Sequence, residues 1–273
     1  MHDAITAMRD AFSTDREVPQ RQQLGASLFM PGRVGGTSGI KVVSTAPGNP
    51  SGIVVVFAPD GSPLGLVDGP TLTAIRTGAV AGLATDLLAA PSASVLAMLG
   101  AGAMAPDQIE AIRAVRPIDD VLIWSRSFAT AAMLAERVGA TPVHSATEAI
   151  SAADVITTAT PAHTPLFDHT ALPECVHINA VGAFTPEMAE IPTQTVKDAY
   201  VVVDDYDAAS HEAGDLIQAG RVPDIDLTGL LELDSPARSG RTLFKSVGIA
   251  SQDIAAARLA LENAERLGIG VEL

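Results

Sequence analysis

The sequence predicts an α/β fold in which a doubly wound, mostly parallel sheet follows a smaller β-rich segment. Short apolar runs alternate with helical stretches after residue 91, and this alternation is typical of a parallel sheet covered by helices. The apolar runs lie at 94–99, 120–125, 141–143, 154–158, 176–181 and 200–203. Before residue 90, closely spaced strands are joined by turns instead. This change of pattern predicts a domain boundary near residue 90.

The first segment is predicted to be mostly antiparallel. A short amphipathic helix over 3–12 opens it, because apolar residues recur there at helical spacing. Strands are expected at 28–31, 40–44, 53–57 and 64–67. A Pro59-Asp60-Gly61 turn makes the last two strands a hairpin. The glycine-rich stretch 32–39 is predicted to be a mobile loop, and a helix over 71–90 leads to the second segment.

Two helices are predicted towards the end of the chain. One covers 208–218, and the other covers 252–267, where Ile254, Ala257 and Leu261 share one face. Between the last strand and the first of these helices lie Asp204, Asp205 and Asp207. We interpret these acids as a solvated strand end; the alternative for Asp204 is that it helps to close the substrate cleft.

Composition excludes several classes of protein. The 273 residues are 47% hydrophobic and 18% charged, as in a globular α/β protein rather than a disordered one. A net charge of −15 without a basic stripe excludes nucleic acid as a partner. Neither a signal peptide nor a membrane span is visible, and Cys175 is the single cysteine. We therefore expect a soluble, cytoplasmic protein without a membrane partner or an internal disulfide.

A glycine turn is the strongest local motif. The apolar run Val95–Leu99 is followed by Gly100-Ala101-Gly102-Ala103-Met104-Ala105, which opens a helix, and a second apolar run comes about 20 residues later. This is the pattern of a mononucleotide-binding βαβ unit. The first glycine allows the tight turn and the second lets backbone approach a pyrophosphate. The helix N-terminus then offers free N–H groups to the phosphates.

The end of the next strand predicts which dinucleotide binds. An NAD site usually has Asp or Glu there, to accept hydrogen bonds from the ribose 2′-hydroxyl. Here the tip is Ser125-Arg126-Ser127, without an acid. A guanidinium flanked by hydroxyls suits a 2′-phosphate. The sequence therefore favours NADP(H), with NAD(H) as the alternative.

Three cations in the first segment predict an anionic ligand. Arg21, Lys41 and Arg76 stand in mostly apolar or uncharged stretches, where an unpaired charge is costly to bury. A carboxylate is the simplest ligand, because Arg binds it through two parallel hydrogen bonds. The alternative is that each is a surface side chain with a buried stem.

These blocks together resemble the ornithine cyclodeaminase/μ-crystallin family. The Arg-Thr-Gly-Ala block and the Asn-Ala-Val-Gly block, in this order and spacing, are the specific part of the resemblance. The matching blocks are Val18–Arg21, Gly39–Val43, Asp68-Gly69, Leu72–Ala79, Gly100–Gly102, Ile178–Ala183 and Phe244–Ala250.

The resemblance implies a Rossmann-type domain over 91–248 and a substrate-binding and dimerisation domain formed by 1–90 with 249–273. It also implies a homodimer and NAD(P) chemistry on a small 2-amino or 2-imino acid. By carry-over, Arg21, Lys41 and Arg76 bind the substrate carboxylate, and Lys41 donates or accepts a proton at the reacting centre. The cofactor is expected to contact Thr77, Gly100, Ala101, Gly102, Ala103, Met104, Ser125, Arg126, Ser127, Thr160, Val181 and Ser246.

Two residues depart from the family pattern. Phe184 stands where cyclodeaminases have an aspartate that handles the amine and water steps. Loss of such a group typically costs about 10²–10⁴-fold, and it should harm a multi-step deamination far more than a single hydride transfer. Met104 replaces a usual glutamine, which predicts one weaker phosphate contact.

We therefore expect an NADPH-dependent reductase of a cyclic ketimine carboxylate, of the Δ1-pyrroline-2-carboxylate or Δ1-piperideine-2-carboxylate type. The alternatives are an open-chain dehydrogenase resembling alanine dehydrogenase or an iminosuccinate reductase, a cyclodeaminase-like lyase, and a non-catalytic NADP-binding protein. No metal is expected, because the spacings of His163, His169, Cys175 and His177 fit no usual ligand set.

Overall fold

A computed structural model describes residues 1–44, 46, 51–233 and 240–271 of the chain. The chain divides into two compact units. The antiparallel unit comprises residues 2–76 and 249–273, and the parallel unit comprises Met1 and residues 77–248. The first boundary falls inside a helix, after Arg76, whereas the sequence analysis placed it after residue 90.

The secondary structure alternates as expected after the first boundary. The strands are β1 Arg16–Glu17, β2 Gln22–Leu24, β3 Ser27–Val34, β4 Thr37–Ser44, β5 Gly52–Phe57, β6 Pro63–Asp68, β7 Val95–Leu99, β8 Asp120–Trp124, β9 Thr141–Pro142, β10 Val155–Thr158, β11 Val176–Ala180, β12 Tyr200–Val203, β13 Ile225–Asp226 and β14 Arg241–Lys245. The α-helices are α1 His2–Ser13, α2 Gly69–Leu88, α3 Ala105–Val115, α4 Phe128–Val138, α5 Ala146–Ile150, α6 Thr193–Asp198, α7 Tyr206–Glu212, α8 Gly214–Ala219, α9 Leu227–Leu231 and α10 Ala250–Leu267.

The antiparallel unit is a sheet packed against the helix α10. Its strands follow the order β1-β3-β4-β5-β6, with β2 paired to β3. Helix α10 contacts strands β3 to β6 and helix α1. Because side chains alternate along a strand, one face of the sheet meets α10 and the other does not.

The prediction of a mobile loop over 32–39 is wrong. These residues form the ends of β3 and β4, with Gly32 paired to Gly39 and a left-handed Gly35 in the turn. A Cβ on Gly32 would lie 2.9 Å from the Ala250 side chain, and one on Gly39 would lie 2.4 Å from the Val55 carbonyl oxygen. The glycines therefore serve close packing and not flexibility.

The parallel unit is an eight-stranded sheet in the order β13-β12-β14-β11-β10-β7-β8-β9. Every pairing in it is parallel. Strand β7 lies between β8 and β10. The strands that follow β7 are therefore added first on one side of it and then on the other. A topological switch of this kind opens a crevice at the carboxyl ends of the strands.

Two details of this unit differ from the sequence analysis. Strands β13 and β14 were not predicted, although β14 lies inside the sheet between β11 and β12. The expected helix over 208–218 is broken into α7 and α8. The break brings Gly214 against other backbone, since a Cβ there would lie 2.0 Å from the Met188 carbonyl oxygen.

The predicted fold class is confirmed: a doubly wound parallel sheet is combined with a β-rich α+β unit. Among the described residues, no helix is both long enough and apolar enough to span a bilayer.

Candidate functional site

The glycine turn after β7 borders a cleft of about 530 Å³ in the parallel unit. That volume is within the usual range of small-molecule sites. Residues from three strand ends line the cleft, namely Gly100, Ala101, Gly102, Trp124, Ser125, Arg126, Thr130, Ala159, Thr160, Pro161, Ala162, His163, Thr164, Pro165 and Leu166. The cleft therefore lies at the switch point of the sheet.

The turn requires glycine at its two glycine positions for different structural reasons. Gly100 has a φ of 115°, and a Cβ there would lie 2.7 Å from the Ala159 carbonyl oxygen, so only glycine fits. Gly102 is exposed, and a Cβ there would meet nothing within 4 Å. It leaves open space beside the backbone that a ligand can fill.

Helix α3 begins directly after this turn. Its N-cap residue, Met104, makes no side-chain hydrogen bond to the first turn, which contains Pro106. The N–H groups of a first turn without a side-chain cap are available to an anion. Ala103 is exposed and Met104 is half-buried beside them.

The tip of β8 carries the predicted Ser125-Arg126-Ser127 segment. Arg126 is exposed and lines the cleft, and within the described residues its guanidinium makes no hydrogen bond or ion pair. Ser125 is half-buried. Ser127 is engaged as the N-cap of α4, where its hydroxyl accepts from Thr130 N. No carboxylate is among the described residues that line the cleft.

A buried carboxylate connects the loops that follow β10 and β11. Glu190 Oε1 accepts from the Thr160 backbone N–H at 2.7 Å and from its hydroxyl at 2.8 Å. Glu190 Oε2 accepts from Gly182 N and Ala183 N. This side chain therefore fixes Thr160 and the segment after Val181, which is itself buried.

Glu190 belongs to a larger buried charge network. Its backbone N–H donates to Asp215 Oδ1 at 2.7 Å, and Asp215 Oδ2 lies 2.8 Å from Lys245 Nζ. Lys245 also donates to the Ala183 carbonyl oxygen. Burial raises the pKa of Glu190, while the positive charge of Lys245 opposes that shift. Lys245 therefore favours the charged form of Glu190, whereas the negative charge of Asp215 raises the Glu190 pKa.

The interpretation of Asp204 as a solvated strand end is wrong. Asp204 is fully buried, and its Oδ2 accepts from the Ser246 hydroxyl at 2.7 Å and from Gly248 N at 2.8 Å. Ser246 and Gly248 lie more than forty residues away in the sequence, so no local pattern shows that Asp204 binds them. Asp204 orients Ser246 at the end of β14, and Asp205 caps α7.

A second polar cluster lies inside the antiparallel unit. Lys41 on β4 and Arg76 on α2 are both 5% exposed. Lys41 Nζ lies 3.1 Å from Asp253 Oδ1, and Arg76 Nε lies 3.0 Å from the same oxygen. Arg76 Nη1 also donates to Gln252 Oε1 at 2.6 Å, and Lys41 donates to the Thr73 hydroxyl.

The electrostatics of this cluster make Lys41 an unusual lysine. Burial lowers its pKa, the negative charge of Asp253 opposes this shift, and the positive charges of Arg76 and Arg21 add to it, with a resulting pKa of about 8. The structure thus brings Lys41 and Arg76 together on Asp253, while Arg21 is half-buried and acts on Lys41 through its charge. A lysine with such a pKa can both hold and release a proton near neutral pH.

The remaining predicted residues are placed as follows. Thr77 is buried in α2. The next residue, Gly78, packs closely on α3, since a Cβ there would lie 2.6 Å from the Asp107 carbonyl oxygen. Phe184 is 51% exposed, directly after the two N–H groups that Glu190 binds.

The four residues weighed as metal ligands have other environments. His177 is buried between Thr242 and Asn179. His169 contacts Thr195 and Arg241, His163 contacts the Glu187 carbonyl oxygen, and Cys175 is exposed. Among the described residues, no three His, Cys, Asp or Glu side chains are grouped to hold a metal ion.

The acids that organise both clusters, Asp253 and Glu190, were not among the predicted site residues. Asp253 lies four residues before Ala257 on the apolar face of α10, and an acid on such a face is a signal that could have been noticed. Glu190 likewise interrupts the apolar run from Met188 to Ile191.

Comparison with known proteins agrees with the motifs. The model of the ornithine cyclodeaminase/mu-crystallin family matches residues 13–267. A Δ1-pyrroline-2-carboxylate reductase of Bacillus cereus is 38% identical over 97% of this chain and 88% of its own length.

Two solved structures share the fold of this chain. The Δ1-pyrroline-2-carboxylate reductase of Thermococcus litoralis, in complex with NADH and L-proline, is 28% identical, with a TM-score of 0.92 over 100% of this chain and 95% of its own. An archaeal alanine dehydrogenase dimer with bound NAD is also 28% identical, with a TM-score of 0.91 over 100% of this chain and 94% of its own. The predicted family is confirmed: this chain belongs to the ornithine cyclodeaminase/mu-crystallin family.

Proposed function

We propose that this chain reduces the C=N bond of a cyclic ketimine carboxylate of the Δ1-pyrroline-2-carboxylate type to the cyclic amino acid, with a reduced nicotinamide dinucleotide as cofactor. The observation that carries the proposal is the buried cationic cluster around Lys41 and Arg76. Two relatives of this chain support the choice of substrate. Both are Δ1-pyrroline-2-carboxylate reductases, and the structure of one of them contains NADH and L-proline.

The cationic cluster suits a small imino acid. Arg76 and Arg21 bind the substrate carboxylate, because a guanidinium matches its two oxygens. Lys41 holds the proton that the imine nitrogen needs when the amine forms. A pKa of about 8 keeps Lys41 mostly protonated at neutral pH. Binding of the carboxylate fixes the orientation of the substrate, which lowers the entropic part of the barrier.

The cleft at the glycine turn fits a dinucleotide. The open space beside Gly102 and the α3 N-terminus without a side-chain cap suit a pyrophosphate. Three residues are proposed at the nicotinamide end. Glu190 holds Thr160, Asp204 holds Ser246, and Val181 is buried. When bound, the reduced cofactor supplies the hydride.

NADPH is the proposed preferred form of the cofactor. Support comes from Arg126, an exposed guanidinium on the cleft without an intramolecular partner among the described residues. Replacing Arg126 by Ser should raise the KM for NADPH about tenfold, the loss of one charge-assisted contact at an exposed position, and should leave the KM for NADH unchanged. The matched control is Arg137→Ser, on α4 away from the cleft lining. A wild-type KM lower for NADH than for NADPH would refute the preference.

The reaction is tested by NADPH oxidation with a panel of cyclic and open-chain imino acids, with and without ammonium. We expect oxidation with the cyclic ketimines in the absence of ammonium. A requirement for ammonium would instead indicate open-chain reductive amination. Arg76→Ala should raise the KM for the imino acid or abolish turnover, and unchanged kinetics would refute the role of the cationic cluster.

A homodimer is proposed through the outer face of the antiparallel sheet. The registers of β4, β5 and β6 place Ile53, Val55 and Leu66 on the face opposite Lys41 and Val54. Ile53 and Leu66 are 47% and 46% exposed, and a structural relative is a dimer. Sedimentation should show a dimer in the wild type and a monomer for Ile53→Asp. A monomeric wild type would refute the proposal.

A further inference from the structure

We propose that Asp253 is a positioning residue for this reaction, which holds the side chains of Lys41 and Arg76 together on one carboxylate oxygen. The inference rests on the proposed function, because it concerns the groups that bind and protonate the imino acid. Asp253 itself is not proposed to touch the substrate.

The geometry joins three distant parts of the chain. Lys41 comes from β4, Arg76 from α2 and Asp253 from the first turn of α10. Both cations bind the same atom, Asp253 Oδ1, at 3.1 Å and 3.0 Å. The position of one carboxylate therefore sets the separation and orientation of an ammonium and a guanidinium.

Charge gives the second argument. Two cations that lie side by side in a buried site repel each other, and each has lost its hydration. Asp253 is fully buried and is the carboxylate whose charge acts on Lys41 against burial and against Arg76 and Arg21. Without it, Lys41 would lose its proton more readily and Arg76 would lose the partner of its Nε.

The ammonium group of Lys41 keeps one donor that the cluster does not use. The Lys41 ammonium has three donors, and two are used by Thr73 and Asp253. Within the described residues the third has no acceptor. This leaves one ammonium donor of Lys41 for a ligand, while the other two are held by Asp253 and Thr73.

The sequence makes a direct test feasible, because the chain has only three lysines, Lys41, Lys197 and Lys245. Protein labelled with ¹³C in the lysine side chains gives three signals, which Lys197→Arg and Lys245→Met assign. Their titration is followed from pH 6 to pH 11 in the wild type, in Asp253→Asn and in the control Glu262→Gln, on the exposed part of the same helix. Reduction of the imino acid is measured over the same range.

In Asp253→Asn we expect the Lys41 midpoint to fall by about one pH unit or more, the effect of removing an opposite charge at this distance. The Lys197 midpoint should not move. The alkaline limb of kcat/KM should shift by the same amount as the Lys41 midpoint, and the KM for the imino acid should rise about tenfold, since Arg76 is no longer held. Glu262→Gln should change none of these values.

An unchanged Lys41 midpoint in Asp253→Asn overturns the inference, as does a lower kcat without a shift of the alkaline limb. If Asp253→Asn does not fold, Asp253→Glu keeps the charge but moves it, and an unchanged KM for the imino acid together with an unchanged Lys41 midpoint in that variant overturns the inference. Absence of turnover with every imino acid refutes the proposed function instead, while the lysine signals still decide whether Asp253 holds Lys41.

Discussion

Buried His177 should make the protein sensitive to acid. His177 is 2% exposed in β11, and burial lowers its pKa from 6.5 to about 3. Its ring is held in one tautomer, because Nε2 faces the acceptor Asn179 Oδ1 and must donate. Nδ1 then accepts from the Thr242 hydroxyl at 2.8 Å. Protonation of Nδ1 would break that hydrogen bond and charge a buried ring.

The sign and size of the effect follow from linkage. In the unfolded chain His177 binds a proton below about pH 6.5, whereas in the folded protein it stays neutral down to about pH 3. The unfolded state therefore gains protons first as the pH falls, and stability is lost between these two values. Each pH unit costs about 1.4 kcal/mol, so the free energy of unfolding should fall by about 2 kcal/mol between pH 6.5 and pH 5 from this residue alone.

The measurement is urea unfolding at pH 5 and pH 7 at constant ionic strength. His177→Gln keeps a donor for Asn179 but does not titrate, so its loss of unfolding free energy between the two pH values should be smaller than that of the wild type by about 2 kcal/mol. His211→Gln, at an exposed position, is the control and should behave as the wild type. Equal losses in the wild type and in His177→Gln would refute this account.

Three further predictions concern the two clusters and the helix packing. The kcat/KM for imine reduction should fall above about pH 8, as Lys41 loses its proton; a profile flat to pH 10 contradicts this. Glu190→Gln should lower the free energy of unfolding in urea by about 2–4 kcal/mol, since an amide cannot accept four hydrogen bonds; a change below about 1 kcal/mol contradicts it. Gly78→Ala should lower it by about 1–3 kcal/mol, because the new Cβ overlaps α3 backbone; an unchanged midpoint in thermal unfolding contradicts this.

Local patterns predicted the elements that depend on local physics. The apolar runs of β7, β8 and β10 and the periodic face of α10 reflect burial within one element, so the fold class could be read from them. The glycine turn was equally readable, since the left-handed Gly100 and the open backbone at Gly102 are needs of the turn itself.

Features that depend on distant partners could not be predicted in this way. The glycines of β3 and β4 face α10, which follows more than two hundred residues later, so locally they resembled a flexible loop. Strand β14 has a cation at each end, and the partner of Lys245 is Asp215 in helix α8. Asp253 and Lys41 are 212 residues apart. Only the three-dimensional arrangement shows that such residues form pairs.

During synthesis, the antiparallel unit should fold after the parallel unit, because its helix α10 lies at the other end of the chain from its sheet. Residues 2–76 leave the ribosome before residues 77–248, and the helix that covers their sheet follows both. The parallel unit, which ends at Gly248, is complete before that helix exists. In chains stalled with Gly248 just outside the exit tunnel, residues 77–248 should already resist protease while residues 2–76 are cleaved. Equal resistance of both parts would show that the sheet does not wait for its helix.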